Sequence, residues 1–193
     1  MQRAGDLAVQ LREAQSERDA LLKQIETLKQ NGTTTDVKVD EQLMMRAALT
    51  NVKGSGVSVL IEDSLKPIQS GENPNLFVIH DEDILRIVNE LRAGGAEAIA
   101  INDQRLIGTS EIRCSGPTIT VNGKVFGAPF VVKAIGDPKT LNSALTMRGG
   151  VVDSLKHWGI KVTIKEENEI AIPAFTGTFR EEHMKPNELG GKE

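Results

Sequence analysis

The residues best placed to do chemistry are Asn102, Asp103, Gln104 and Arg105, which follow the apolar run AIAI, and Arg113 further on. In α/β chains, ligands favour the loops at the carboxyl ends of strands. Two guanidinium groups there could grip a carboxylate or phosphate through paired N–H donors. Asn102, Arg105 and Arg113 are therefore the candidate ligand-binding residues. Asp103 and Glu111 are the local acids that would close the site by pairing with the arginines. The alternative is a hydrogen-bonded turn carrying solvated arginines.

Other reactive side chains lack the neighbours that chemistry needs. His80, His157 and His183 have no metal-ligand spacing, so no metal site is expected. Asp81-Glu82-Asp83 reads as charge at a helix N-terminus rather than as an acid–base pair. Cys114 falls inside a predicted strand with no activating histidine, which predicts a buried thiol rather than a nucleophile. Gly54-Ser55-Gly56 precedes a strand, whereas a dinucleotide fingerprint follows one, so it reads as a turn. Ser58, Ser110 and Ser115 have no nucleophile-elbow context. No catalytic residue and no cofactor is predicted.

Bulk composition narrows the partners. The 193 residues carry a net charge of −4 and only 3% aromatics, with no tyrosine. That argues against a phosphate-backbone binder and a base-stacking platform, so no nucleic-acid partner is expected. The single cysteine excludes an internal disulfide. No run of 18 apolar residues is present, as a spanning helix would need.

The elements that must hold these residues can be read from periodicity. Leu7, Leu11, Ala14, Arg18, Leu21, Ile25 and Leu28 alternate four- and three-residue steps, predicting a coiled-coil helix over 1–30. Leu7, Leu11, Leu21, Ile25 and Leu28 are the expected oligomerisation residues of a homo-oligomer. Residues 31–39 read as a linker, 40–175 as an α+β domain and 176–193 as a disordered tail. Within the domain, a short helix over 40–50 would turn Leu43, Met44 and Ala47 inward. Val57, Val59 and Ile61 alternate as a strand.

Residues 77–101 read as a strand over Phe77–Ile79, a helix N-capped by Asp81, a Gly94-Gly95 stop and a second strand. Ile84, Ile87, Val88 and Leu91 mark the buried helix face. Asn122-Gly123 between TITV and KVF predicts a type I′ hairpin. A strand from Phe130, a helix after Asp137-Pro138, a break at Gly149-Gly150 and a further helical segment follow. Strands over 160–164 and 170–172 end the pattern. Two βαβ units joined by a hairpin predict a two-layer α+β sandwich of ferredoxin-like split βαβ repeats, preceded by the coiled coil. A doubly wound parallel sheet is the alternative.

The runs HDEDILRIVNELRAGGAEAIAINDQRLIGTSEIRC, ITVNGKVFGAPFVVKAIGDP and GGVVDSLKHWGIKVTIKEENEIAIPAF resemble the bacterial "domain of unknown function 881" family. The resemblance covers roughly residues 40–175, and the preceding helix is similar to the coiled coil usual there. It implies a protein of Gram-positive bacteria, encoded near cell-division and cell-wall genes. It further implies a domain on the extracytoplasmic face of the membrane, held by an anchor absent from this chain, with envelope or division proteins as partners. The family brings no catalytic residue. A non-enzymatic scaffold is the leading expectation; a sensor of small anionic ligands is the alternative.

Overall fold

The computed structural model describes residues 41–179 and 182–185. The chain divides into two compact units, residues 1–46 and 47–193. The coiled-coil expectation, with Leu7, Leu11, Leu21, Ile25 and Leu28, lies outside the described residues. So does the linker, and most of the 176–193 tail. In the first unit residues 41–46 are helical. Met44 is half-buried, but Leu43 is exposed, and Ala47 beyond the helix is exposed too, contrary to their expected inward placement.

The second unit is mixed α and β. Its strands are β1 (Val52–Glu62), β2 (Ala98–Ile101), β3 (Gln104–Arg105), β4 (Ile112–Ser115), β5 (Thr118–Val121), β6 (Lys124–Phe126), β7 (Phe130–Ile135) and β8 (Lys161–Ile172). Its helices are α1 (Asp81–Ala93), α2 (Pro138–Leu145) and α3 (Val151–His157). A five-stranded sheet runs β3-β2-β7-β1-β8 and a three-stranded sheet runs β4-β5-β6. Every pairing is antiparallel, which excludes the doubly wound parallel sheet. The chain passes from β1 through α1 to β2, skipping the place of β7. It passes from β7 through α2 and α3 to β8, skipping the place of β1. The two crossovers therefore interleave.

One face of the large sheet holds the main core. Val57, Val59, Ile61, Ile99, Ile101, Val132 and Ala134 alternate onto it and meet Ile84, Ile87, Val88 and Leu91 of α1. Leu141 and Leu145 of α2 and Val151, Val152 and Leu155 of α3 complete that layer. Ile112, Ile119 and Val121 of the small sheet join the same core. Burying each such side chain contributes roughly 1.5–3 kcal/mol before conformational entropy is subtracted. A smaller cluster of Ala98, Ala100, Ile135, Ile170 and Ile172 lies apart.

Helix ends follow the sequence closely. Ala96 N–H reaches Leu91 O at 2.9 Å and Gly95 N–H reaches Arg92 O at 3.0 Å, a Schellman stop. Gly95 supplies the required positive φ of 85°. Asp137 Oδ1 accepts from Thr140 N at 2.8 Å, with Pro138 in the first turn of α2.

Four expectations need correction. Phe77–Ile79 is not a strand: Pro74–Phe77 forms a 3₁₀ turn, because Pro74 fixes its entry and Asn73 caps it. The strand that feeds α1 is β1. Helix α1 is capped by His80, not Asp81; Asp83 Oδ2 accepts from His80 N at 2.9 Å. Residues 160–172 form one strand, β8, rather than two. Gly54-Ser55-Gly56 is not a turn but part of β1, where the register slips against β8 between Gly54 and Gly56. A Cβ on Gly56 would lie 1.9 Å from Ala134 O, so the backbone of β7 occupies the space a side chain would need.

Candidate functional site

The three sequence-predicted ligand residues end up in different surroundings. Asn102 and Asp103 form a tight turn between β2 and β3, with φ of 44° and 62°. Asn102 N–H donates to Val131 O at 2.9 Å, and Asn102 Oδ1 accepts from Val131 N at 2.7 Å. Its side chain is thus committed to holding β2 against β7. Asp103 Oδ1 accepts from Lys133 Nζ at 2.8 Å and leaves both arginines alone.

Arg105 is 6% exposed. Its Nη1 has no hydrogen-bond partner among the described residues. Loss of solvent pushes its pKa down. Arg105 and Lys133 both stand opposite Ala100 in register, and Asp103, the one acid bonded there among the described residues, serves the lysine. A buried guanidinium without a carboxylate is energetically costly, by several kcal/mol.

Arg113 is exposed and lines a cleft of about 590 Å³ with Thr109, Glu111, Asn122, Gly123, Phe175, Gly177 and Thr178. The small sheet builds one wall. Asn122 and Gly123 adopt φ of 49° and 75°, the type I′ turn the sequence predicts. Glu111 secures this turn: its Oε1 accepts from Gly123 N, and its carbonyl accepts from Asn122 N at 3.3 Å. Glu111 is therefore not ion-paired with Arg113 among the described residues.

Asn122 Nδ2 donates to Arg105 O at 2.9 Å, which ties the cleft wall to β3 behind it. Its Oδ1 is buried and without a partner among the described residues. The segment after β8 builds the other wall. Ala174 N donates to Asn51 Oδ1 and Phe175 N to Ala48 O, each at 2.8 Å. Gly177 lies against the Phe175 ring, where a Cβ would come within 2.5 Å of it.

Of the predicted trio, only Arg113 lines the cleft. Arg105 contributes only its backbone carbonyl, which accepts from the cleft residue Asn122, and Asn102 is a turn residue. Glu111, expected to pair with the arginines, instead lines the cleft beside Arg113 and bonds the turn; sequence reasoning missed Thr109, and it identifies Asn122 only as a turn residue. Phe175, Gly177 and Thr178 gave no signal, because they follow the last apolar alternation.

A second surface stands out in residues 63–79, between β1 and α1. Leu65 is 97% exposed, and Ile68, Leu76 and Val78 are also open to solvent. The loop is nonetheless anchored. Ser64 N–H donates to Phe77 O at 2.9 Å, Lys66 Nζ donates to His157 O at 3.0 Å, and Asp63 Oδ1 accepts from Ile79 N at 2.9 Å. Phe77 is buried and meets Trp158 edge-on, with ring centres 6.2 Å apart. Cavities of about 340 and 280 Å³ flank the loop and share Asp63 and Ala128.

Cys114 is exposed, not buried as its strand position predicted. Local desolvation pushes its thiol up, so the protonated form prevails at neutral pH, which is the opposite of nucleophile activation. Among the described residues no helix is long and apolar enough to cross a membrane.

Residues 38–185 match a family model described as "Bacterial protein of unknown function (DUF881)". The chain is similar to the UPF0749 protein YlxW of Bacillus subtilis (strain 168), with 42% identity over 130 residues, 67% of this chain and 56% of that protein. It is also similar to the UPF0749 protein Rv1825 of Mycobacterium tuberculosis, 28% identical over 173 residues, 84% of this chain and 55% of the relative. The chain thus spans about half the length of the curated relatives it matches. A crystal structure of an uncharacterized conserved protein from Mycobacterium tuberculosis aligns with a TM-score of 0.61 and 28% identity, covering 75% of this chain and 96% of that one.

Proposed function

We propose that this chain, which belongs to the DUF881 family of bacterial proteins of unknown function, is a non-enzymatic interaction module that docks a partner protein through residues 63–79. The observation that carries this reading is Leu65. An apolar side chain 97% open to water, on a loop pinned at Asp63, Ser64 and Lys66, presents hydrophobic area at little ordering cost on binding. Ile68, Leu76 and Val78 extend the same apolar surface.

The bonds made by Glu111, Asp81 and Cys114 support a non-enzymatic role. Glu111 secures a turn, Asp81 holds the backbone of Cys114, and the Cys114 thiol stays protonated. The interleaved order β2-β7-β1-β8 supports the ferredoxin-like split βαβ reading. In this proposal the 1–30 helix associates chains through Leu7, Leu11, Leu21, Ile25 and Leu28. The family resemblance adds the setting: the extracytoplasmic face of the cell envelope, with division or wall-synthesis proteins as partners and no nucleic acid.

A photo-crosslinking residue placed at Leu65 in the membrane-anchored protein tests the docking surface in living cells. A discrete protein adduct at position 65, absent when the probe stands at Thr163 on β8, is the expected result. Equal adducts at both positions would reject it. A second reading, a binding site for small anionic ligands, is favoured by Arg113, which faces the cleft without an ion pair among the described residues.

A further inference from the structure

We infer that the cleft between the small sheet and residues 175–178 takes a small hydroxylated carboxylate, such as a sugar acid, with Arg113 receiving the carboxylate and Glu111 receiving a hydroxyl. This rests on the small-ligand reading above and narrows its chemistry.

The cleft's polarity argues for a ligand that both accepts and donates. Arg113 offers a fork of N–H donors suited to a carboxylate. Beside it, Glu111 has one oxygen occupied by Gly123 N–H, which leaves its second oxygen to accept. A simple anion such as sulfate satisfies Arg113 but turns only acceptors toward Glu111, and like charges repel. A neutral sugar satisfies Glu111 but leaves Arg113 without an anion. A carboxylate flanked by hydroxyls answers both groups.

Thr109 and Thr178, on opposite walls, add hydroxyls that can donate or accept. Asn122 on the small-sheet wall is held in place from behind, its Nδ2 donating to the backbone carbonyl of buried Arg105 at 2.9 Å. A volume of about 590 Å³ suits a single sugar-sized ligand.

The test is a titration of the ¹⁵N-labelled chain with D-glucuronate, D-glucose, acetate and sulfate, followed by amide chemical shifts. Glucuronate should shift Arg113, Gly123 and Gly177 saturably. Glucose and acetate should each bind at least about tenfold more weakly, since each loses one charge-assisted contact. Arg113→Gln should abolish the shifts while the rest of the spectrum is preserved. Should that variant unfold, Arg113→Lys serves instead and is expected to weaken binding by losing the fork. Sulfate or acetate binding as well as glucuronate would overturn the hydroxy-acid assignment and keep the anion reading. No shift with any of the four would overturn both. Glucuronate binding that survives Arg113→Gln would place the ligand elsewhere.

Discussion

Asp81 and Cys114 exchange hydrogen bonds: Asp81 N–H donates to Cys114 Sγ at 3.2 Å, and Cys114 N–H donates to Asp81 Oδ2 at 2.9 Å. The exchange pins the first turn of α1 to β4, 33 residues away. Asp81→Ala should cost about 1 kcal/mol, the net worth of an ordinary hydrogen bond at a partly exposed site. Urea unfolding measures it. Cys114→Ser should be close to neutral, because a hydroxyl can take over the thiol's acceptor role.

The same contact carries a pH signature. The Cys114 backbone N–H holds the Asp81 carboxyl below its ordinary value. A depressed folded-state pKa stabilises above the unfolded value and loses that contribution as pH falls below about 4. Asp83 moves the other way, raised by burial, so it opposes the trend. Comparison with Asp81→Asn isolates the first effect. The stability gap between wild type and variant should be full near neutral pH and close as pH falls through that window.

Gly56→Ala should be the most damaging small substitution in β1. Its new methyl would stand 1.9 Å from the Ala134 carbonyl oxygen, a backbone atom that cannot step aside without breaking the β1–β7 ladder. Overpacking of this kind costs at least about 1–3 kcal/mol. Thermal melting should show a clear loss, whereas Gly108→Ala, with open space at its Cβ, should melt near wild type.

Gly123→Val should destabilise the β5–β6 hairpin by roughly 1–2 kcal/mol, because a β-branched residue resists a φ of 75°. Glu111→Gln should weaken the same turn less, since an amide oxygen can still accept from Gly123 N–H.

Arg105→Met should raise the melting temperature. A buried guanidinium whose Nη1 has no partner among the described residues, exchanged for an apolar side chain, loses a desolvation penalty of order 1–4 kcal/mol. A lower melting temperature would mean that the guanidinium has a partner in solution.

What the sequence discloses is local chemistry. Asn122-Gly123, Asp137-Pro138, Gly94-Gly95 and Gly149-Gly150 punctuate the chain where the structure does, because each dictates its own backbone. The alternation of Val57, Val59 and Ile61 identifies the core face of β1. Features set by distant partners stay hidden. Glu166, Glu167 and Asn168 break the apolar alternation in β8, yet pairing with β1 carries the strand past them. Asn102-Asp103 reads as an open polar loop because neither residue is glycine; Val131 supplies the bonds that hold the turn. Arg105 becomes buried on β3, which nothing near it in sequence foretells. The cleft unites residues 109–123 with 175–178, a tertiary relation without periodicity.

The docking role of residues 63–79 is tested most directly by Leu65→Ser combined with Ile68→Ser. Both side chains are exposed, so the variant should melt close to wild type. The protein adduct formed from a crosslinker at neighbouring Gln69 should disappear in this variant while the fold persists. An undiminished adduct in a fully folded variant would contradict it.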